Sequence, residues 1–202
     1  MIPNNIVVVD VETSGINPYQ HQLLAVGLCP LWGPVEPATI FVKHADITWS
    51  PRAKDYFRGY QAEWEQRAVA PARACADVEN YFARVSPTRP IQLVGHNAGF
   101  DVSFLKQLAF LAGKDELAGA SHRFLDSYTM LFLLNSMGLI PSSALTSDGA
   151  FMHFGIRINE SQRHTAIGDA LATRELVRVL LERFDKALGI PLSPEQRALG
   201  GR

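Results

Sequence analysis

The sequence predicts an α/β fold. Three apolar runs near the N-terminus follow one another across short turns, which suits an antiparallel meander, because parallel pairing needs a longer crossover. Farther along, the run Ile91–Gly95 passes within a few residues into the helical spacing of Phe104, Leu105, Leu108 and Leu111. A long helical pattern over about residues 166–188 closes the chain. A length of 202 residues, with 47% hydrophobic and 19% charged content, suits a single globular domain over 1–202, its core at about 6–188. No repeat, low-complexity tract or linker marks a boundary.

Val7-Val8-Val9-Asp10-Val11-Glu12 reads as a strand buried on both faces, ending at the turn Thr13-Ser14-Gly15. After Asn17-Pro18, residues His21 to Pro30 with Leu23, Leu24, Val26 and Leu28 form the second strand, and Glu36 to His44 the third. Ser50 to Gln66 reads as one helix opened by a Ser-Pro pair. Tyr56, Tyr60 and Trp64 recur every four residues there, interleaved with Arg52, Lys54 and Arg58. Such a stripe serves either as a substrate flap or as a face packed on the domain, and packing is the preferred reading. Ala74 to Val85 is a further amphipathic helix, Ile91 to Gly95 a fourth strand, and Phe124 to Asp126 a short fifth. Helices follow over Ser127–Met137 and from Ser142 or Ser143 through Phe154, with Asp126 at a helix start. Arg157 to Arg163 reads as exposed, Thr165 as the cap of the last helix, Gly189–Pro191 as its end, and the tail after Pro194 as frayed.

Chemistry concentrates in three places. In a strand Asp10 and Glu12 share a face. Two charges that close repel by roughly 4 kcal/mol at an effective dielectric near 20, so either a divalent cation holds them or both face water. Asp101 sits in the first turn of a helix at the C-terminal edge of a strand, where ligands bind in open α/β sheets; a carboxylate there also satisfies the helix N-terminus by itself. His96 and Asn97 read as turn residues or substrate contacts. His164 and Asp169 are five residues apart, about 140° around a helix, so they do not stack as a ligand pair. With the helix starting near Thr165, His164 lies on the preceding loop. Taken alone it reads as a plain surface residue; beside Asp169, a neutral imidazole suits proton acceptance.

Together, Asp10-Val11-Glu12-Thr13-Ser14-Gly15, Gly95-His96-Asn97-Ala98-Gly99-Phe100-Asp101 through Leu105, and His164-Thr165-Ala166-Ile167-Gly168-Asp169-Ala170 resemble the DEDDh 3′→5′ exonucleases. That family includes ribonuclease T, oligoribonuclease and the proofreading epsilon subunit of DNA polymerase III. The resemblance spans Ile6 to about Phe184. It implies a ribonuclease H-like fold: a five-stranded mixed sheet, with an antiparallel three-strand meander plus two parallel strands, flanked by helices. It further implies that Asp10, Glu12, Asp101 and Asp169 hold two divalent cations, Mg²⁺ or Mn²⁺, and that His164 deprotonates the attacking water. The product is then a nucleoside 5′-monophosphate. Thr13, Ser14, Phe100, His96 and Asn97 are the weaker candidates for substrate contact.

Other sequence features bound this expectation. A net charge of −1 argues against a broad basic surface but leaves room for a metal-assisted phosphate site. Cys29 and Cys75 lack a CxxC spacing, so they read as buried free thiols of a reducing compartment, not a zinc site. Met1–Asn5 carries no secretory pattern and no run reaches membrane-spanning length, so the expected location is cytoplasmic with no membrane partner. The expected partner is a single-stranded DNA or RNA 3′ end. A polymerase or repair partner and a homodimer stay open, although no extended C-terminal segment of the polymerase-tethering kind is visible. A catalytically silent accessory module and a phosphatase of small esters are the competing readings.

Overall fold

The computed structural model describes residues 4–159 and 162–188, within which five strands form one sheet. The strands are β1 (Ile6–Thr13), β2 (Leu23–Pro30), β3 (Ala38–Phe41), β4 (Ile91–Gly95) and β5 (Ala120–Asp126), in the order β3-β2-β1-β4-β5. Short turns pair β1, β2 and β3 antiparallel, and helical crossovers bring β4 and β5 in parallel to β1. The meander is the one expected from the short connections, and the whole is the mixed sheet that the family resemblance implied.

Strand alternation decides what each face does. Val7, Val9 and Val11 pack into one core with α3 (Pro71–Val85) and α4 (Ala98–Leu111), through Val78, Phe82, Phe104, Leu105 and Leu108. Ile6 and Val8 point the other way, with Cys29 and Val94, against Ala170 and Val177 of the last helix, α7 (Ala166–Leu188). Each large side chain removed from water in these cores contributes about 1.5–3 kcal/mol. The strand is buried on both faces, and Asp10 and Glu12 fall in the register that faces α7. Both cysteines are buried and unpaired.

Several elements differ from expectation. The predicted helix over Ser50–Gln66 is two: α1 (Pro51–Phe57) and α2 (Gln61–Arg67), interrupted at Arg58-Gly59-Tyr60. Glycine weakens the helix there, and the break lets Tyr60 turn inward against Phe41 and Phe57. β5 starts at Ala120, earlier than expected, because an edge strand tolerates the polar Ser121, His122 and Arg123 that hide it from pattern reading. After α5 (Ser127–Ser136), the predicted helix through Phe154 divides into a 3₁₀ turn, Ser142–Leu145, and α6 (Ser147–His153). Thr146 causes the division, its hydroxyl capping the Gly149 amide of α6. The expected helix end at Gly189–Pro191 and the tail after Pro194 lie outside the described residues. Among the described residues, no helix is long and apolar enough to cross a membrane.

Candidate active site

β1 delivers Asp10 and Glu12 to the face that α7 covers, and α7 brings Asp169 to them. One carboxylate oxygen from each of the three lies within 4.8 Å of the others. The closeness depends on Gly27, which stands opposite Asp10 on β2. A Cβ on Gly27 would lie 2.2 Å from the Ala166 carbonyl oxygen and 2.7 Å from the Ile167 nitrogen. Only a residue without a side chain lets the start of α7 rest directly on the sheet. Thr165 caps that start, its hydroxyl accepting from the Gly168 amide at 3.2 Å.

Asp101 arrives from the other side of the sheet, in the first turn of α4. Its Oδ1 accepts from the Val11 amide at 2.9 Å, so it straddles the end of β1 between Asp10 and Glu12. The side chain is 5% exposed. Buried carboxyls in contact resist ionising together. Burial first, then the charges of Asp101, Glu12 and Asp169, hold the Asp10 carboxyl well above its ordinary range. Burial and Asp169 push Glu12 up to about 8, while burial also raises Asp101 and Asp169. An oxygen-only donor set with this excess of negative charge fits a hard divalent cation.

Arg163 brings a cation to this cluster of acids. Expected on the exposed loop, its side chain is only 19% exposed and pairs with both Asp169 and Asp148 while its guanidinium lies over Phe151. His164, next in the chain, takes a left-handed backbone with φ of 60°. Its ring stacks on Tyr56 of α1, centroids 4.3 Å apart and planes 17° from parallel. The structure therefore gathers the acids Asp10, Glu12, Asp101 and Asp169, with His164 attached at their edge. Sequence reasoning missed Arg163 and Gly27. A glycine in the middle of an apolar strand was the one available signal for Gly27; nothing local marks Arg163.

The weaker candidates are held mainly by local bonds. Thr13 donates to the Gly15 carbonyl at 2.8 Å, and Ser14 is fully buried, bonded to Gln22. His96 is half-buried, its Nδ1 within 3.1 Å of the Ser127 hydroxyl and the Leu145 backbone a second partner. Asn97 adopts φ of 64° and donates its amide to Asp126, which also caps α5. Phe100 packs against Phe104. Among the described residues Asn97 and His164 are the non-glycine residues with positive φ, and both lie in the motif segments.

The solved structures most similar in shape include Escherichia coli exonuclease I in a zinc-bound complex with single-stranded DNA (TM-score 0.74, 18% identical, covering 91% of this chain and 42% of that one). An exonuclease I from Methylocaldum szegediense aligns with a TM-score of 0.72 at 19% identity, again covering 91% and 42%. They share the ribonuclease H-like arrangement of the sheet. In sequence, a DNA polymerase III subunit epsilon-like protein of Rhodobacter capsulatus is 34% identical over 122 residues, 60% of this chain and 16% of that protein. The chain thus spans under half the length of these relatives. Residues 7–177 match the RNase T family, described as exonuclease. On that match, over most of its length, the chain belongs to the RNase T exonuclease family.

Proposed function

We propose that the chain is a metal-dependent 3′→5′ exonuclease of the DEDDh type. It removes nucleoside 5′-monophosphates from the end of single-stranded DNA or RNA. The observation that carries this reading is the convergence of Asp10, Glu12 and Asp169 to within 4.8 Å, with Asp101 hydrogen-bonded to the strand between the first two. Mutual repulsion among buried carboxyls has a cost, and a site kept for binding alone has no use for all four.

The residues divide the work. Asp10, Glu12, Asp101 and Asp169 would hold two divalent cations, Mg²⁺ or Mn²⁺. When bound, such cations neutralise the scissile phosphate and stabilise charge on the attacking and leaving oxygens. His164 takes the proton from the attacking water on a ring nitrogen, and its place on a loop at the mouth of the cluster suits that role. The net charge of −1 agrees with a short grip on the terminal nucleotides. The single-stranded DNA bound by the Escherichia coli enzyme supports the choice of substrate class. The one-domain organisation and a cytoplasmic location belong to the same proposal.

The test uses a 5′-labelled single-stranded DNA oligonucleotide and its RNA counterpart, each with Mn²⁺ or with EDTA. A ladder shortening from the 3′ end, present with metal and absent with chelator, is expected. Intact strands in the presence of folded, metal-bound protein would point instead to an accessory binding module. Release of phosphate from mononucleotides without shortening would mark a phosphatase.

A further inference from the structure

We propose that Tyr56 is a positioning residue for His164, holding the imidazole ring at the edge of the acid cluster. This rests on the exonuclease reading above and gives a role to an aromatic stripe the three motifs leave unassigned. The structure divides that stripe. Tyr60 and Trp64 turn into the cluster with Phe41 and Phe57, where the Trp64 indole donates to the Val42 carbonyl at 3.0 Å. Tyr56 turns the other way, onto the His164 ring, at 4.3 Å and 17°.

His164 needs such a partner. Its backbone is fixed from both sides, by the Arg163 ion pairs before it and the Thr165 cap after it, yet the residue is exposed and its ring has two rotatable bonds. A face-on stack removes that freedom while leaving the in-plane ring nitrogens clear of the tyrosine. The platform itself is anchored. Ser50 caps α1 through the Ala53 amide and donates its own amide to the Ser14 carbonyl, just after the Asp10–Glu12 strand. Phe57, the next residue, is buried against Trp49, Tyr60 and Trp64. Arg52 donates from Nε and Nη2 to the Tyr56 hydroxyl, fixing the outer end of the ring. Thus α1 ties the ring under His164 to the strand that carries two of the acids.

The experiment compares Tyr56→Leu and Tyr56→Phe with the wild type in steady-state 3′-end cleavage, Mn²⁺ titration calorimetry and NMR of the His164 ring. Tyr56→Leu is expected to lower kcat by about ten- to a hundredfold, the scale set by misplacing a catalytic group, with KM and Mn²⁺ affinity kept. Tyr56→Phe keeps the stack and is expected to restore kcat to within about threefold of wild type. The His164 ring protons, assigned through His164→Gln, should lie upfield in the wild type and in Tyr56→Phe, and move downfield in Tyr56→Leu. Full kcat in Tyr56→Leu overturns the proposal. So does a rise confined to KM, which would make Tyr56 a nucleobase contact, or a phenylalanine variant as impaired as leucine. If the wild type shortens no strand while its His164 protons are ring-shifted, the exonuclease reading fails although the contact exists, and the positioning role falls with it.

Discussion

Arg163 donates to the Asp169 carboxylate from the position directly before His164, and the same guanidinium reaches Asp148 on α6. A cation is thereby fixed at the rim of an otherwise acidic site, where it favours the ionised forms of Asp10, Glu12 and Asp169. Arg163→Gln should lower stability in EDTA by about 1–3 kcal/mol, the cost of leaving a largely buried charge without its partner. Added Mn²⁺ should recover most of that loss, since bound cations supply the missing positive charge. Thermal unfolding with and without metal checks this. An equal loss in both conditions would mean that Arg163 acts only as a brace between α6 and α7.

The raised carboxyls make the metal-free protein sensitive to pH. Glu12 titrates near 4.5 in an unfolded chain and about 8 when folded, so across that window the folded state holds a proton that the unfolded state has lost. Stability from this group is present at low pH and is lost as pH rises through about 8. His44 and His96, pushed below 6.5 mainly by burial, add the opposite slope in the acid range. The clean comparison is therefore wild type against Glu12→Gln between pH 7 and pH 8 in EDTA, where the wild type should lose more stability than the variant, the raised Asp10, Asp101 and Asp169 being common to both. Because bound metal displaces the proton, stabilisation by Mn²⁺ should grow over the same interval. A wild type that gains stability relative to Glu12→Gln as pH rises would contradict the assignment.

Gly27 gives a prediction about distance. Its missing side chain lets the Ala166 backbone lie on the sheet opposite Asp10. Gly27→Ala must push the first turn of α7 outward, and Asp169 with it. The expected results are a stability loss of about 1–3 kcal/mol from overpacking and a Mn²⁺ affinity lowered at least about tenfold. Calorimetry of the folded variant reads the second effect separately from the first. Unchanged affinity beside lowered stability would reduce Gly27 to a packing residue.

Much of this architecture was legible in the sequence because it rests on local pattern. Valines at odd and even positions of β1 announce burial on both faces, and that same alternation puts Asp10 and Glu12 together. Asp101 was legible from the strand-to-helix passage before it. What stayed hidden depends on partners distant in sequence. Arg163 sits in a polar loop and is drawn inward by Asp148 and Asp169, a pairing no local window contains. Tyr56, Tyr60 and Trp64 keep a helical spacing of four, yet the break at Gly59 sends the first to His164 and the others into the core. Periodicity reports the repeat and cannot report that the helix carrying it ends.

His164 and Asp10 should fail in different ways, and the difference separates base from ligand. His164→Ala removes the proposed proton acceptor at the edge of the cluster without touching its carboxylates. Turnover should fall by about 10²- to 10⁴-fold, the usual worth of a positioned general base, while Mn²⁺ affinity persists. Asp10→Asn removes one of the crowded charges at the centre. Turnover and metal-dependent stabilisation should both disappear, whereas stability in EDTA should hold or rise because repulsion with Glu12, Asp101 and Asp169 is relieved. Cleavage rates, Mn²⁺ calorimetry and thermal unfolding of the two variants side by side read all of these quantities. Lost metal affinity in His164→Ala would make the histidine a ligand, and a near wild-type rate in Asp10→Asn would remove the metal from the centre of the site.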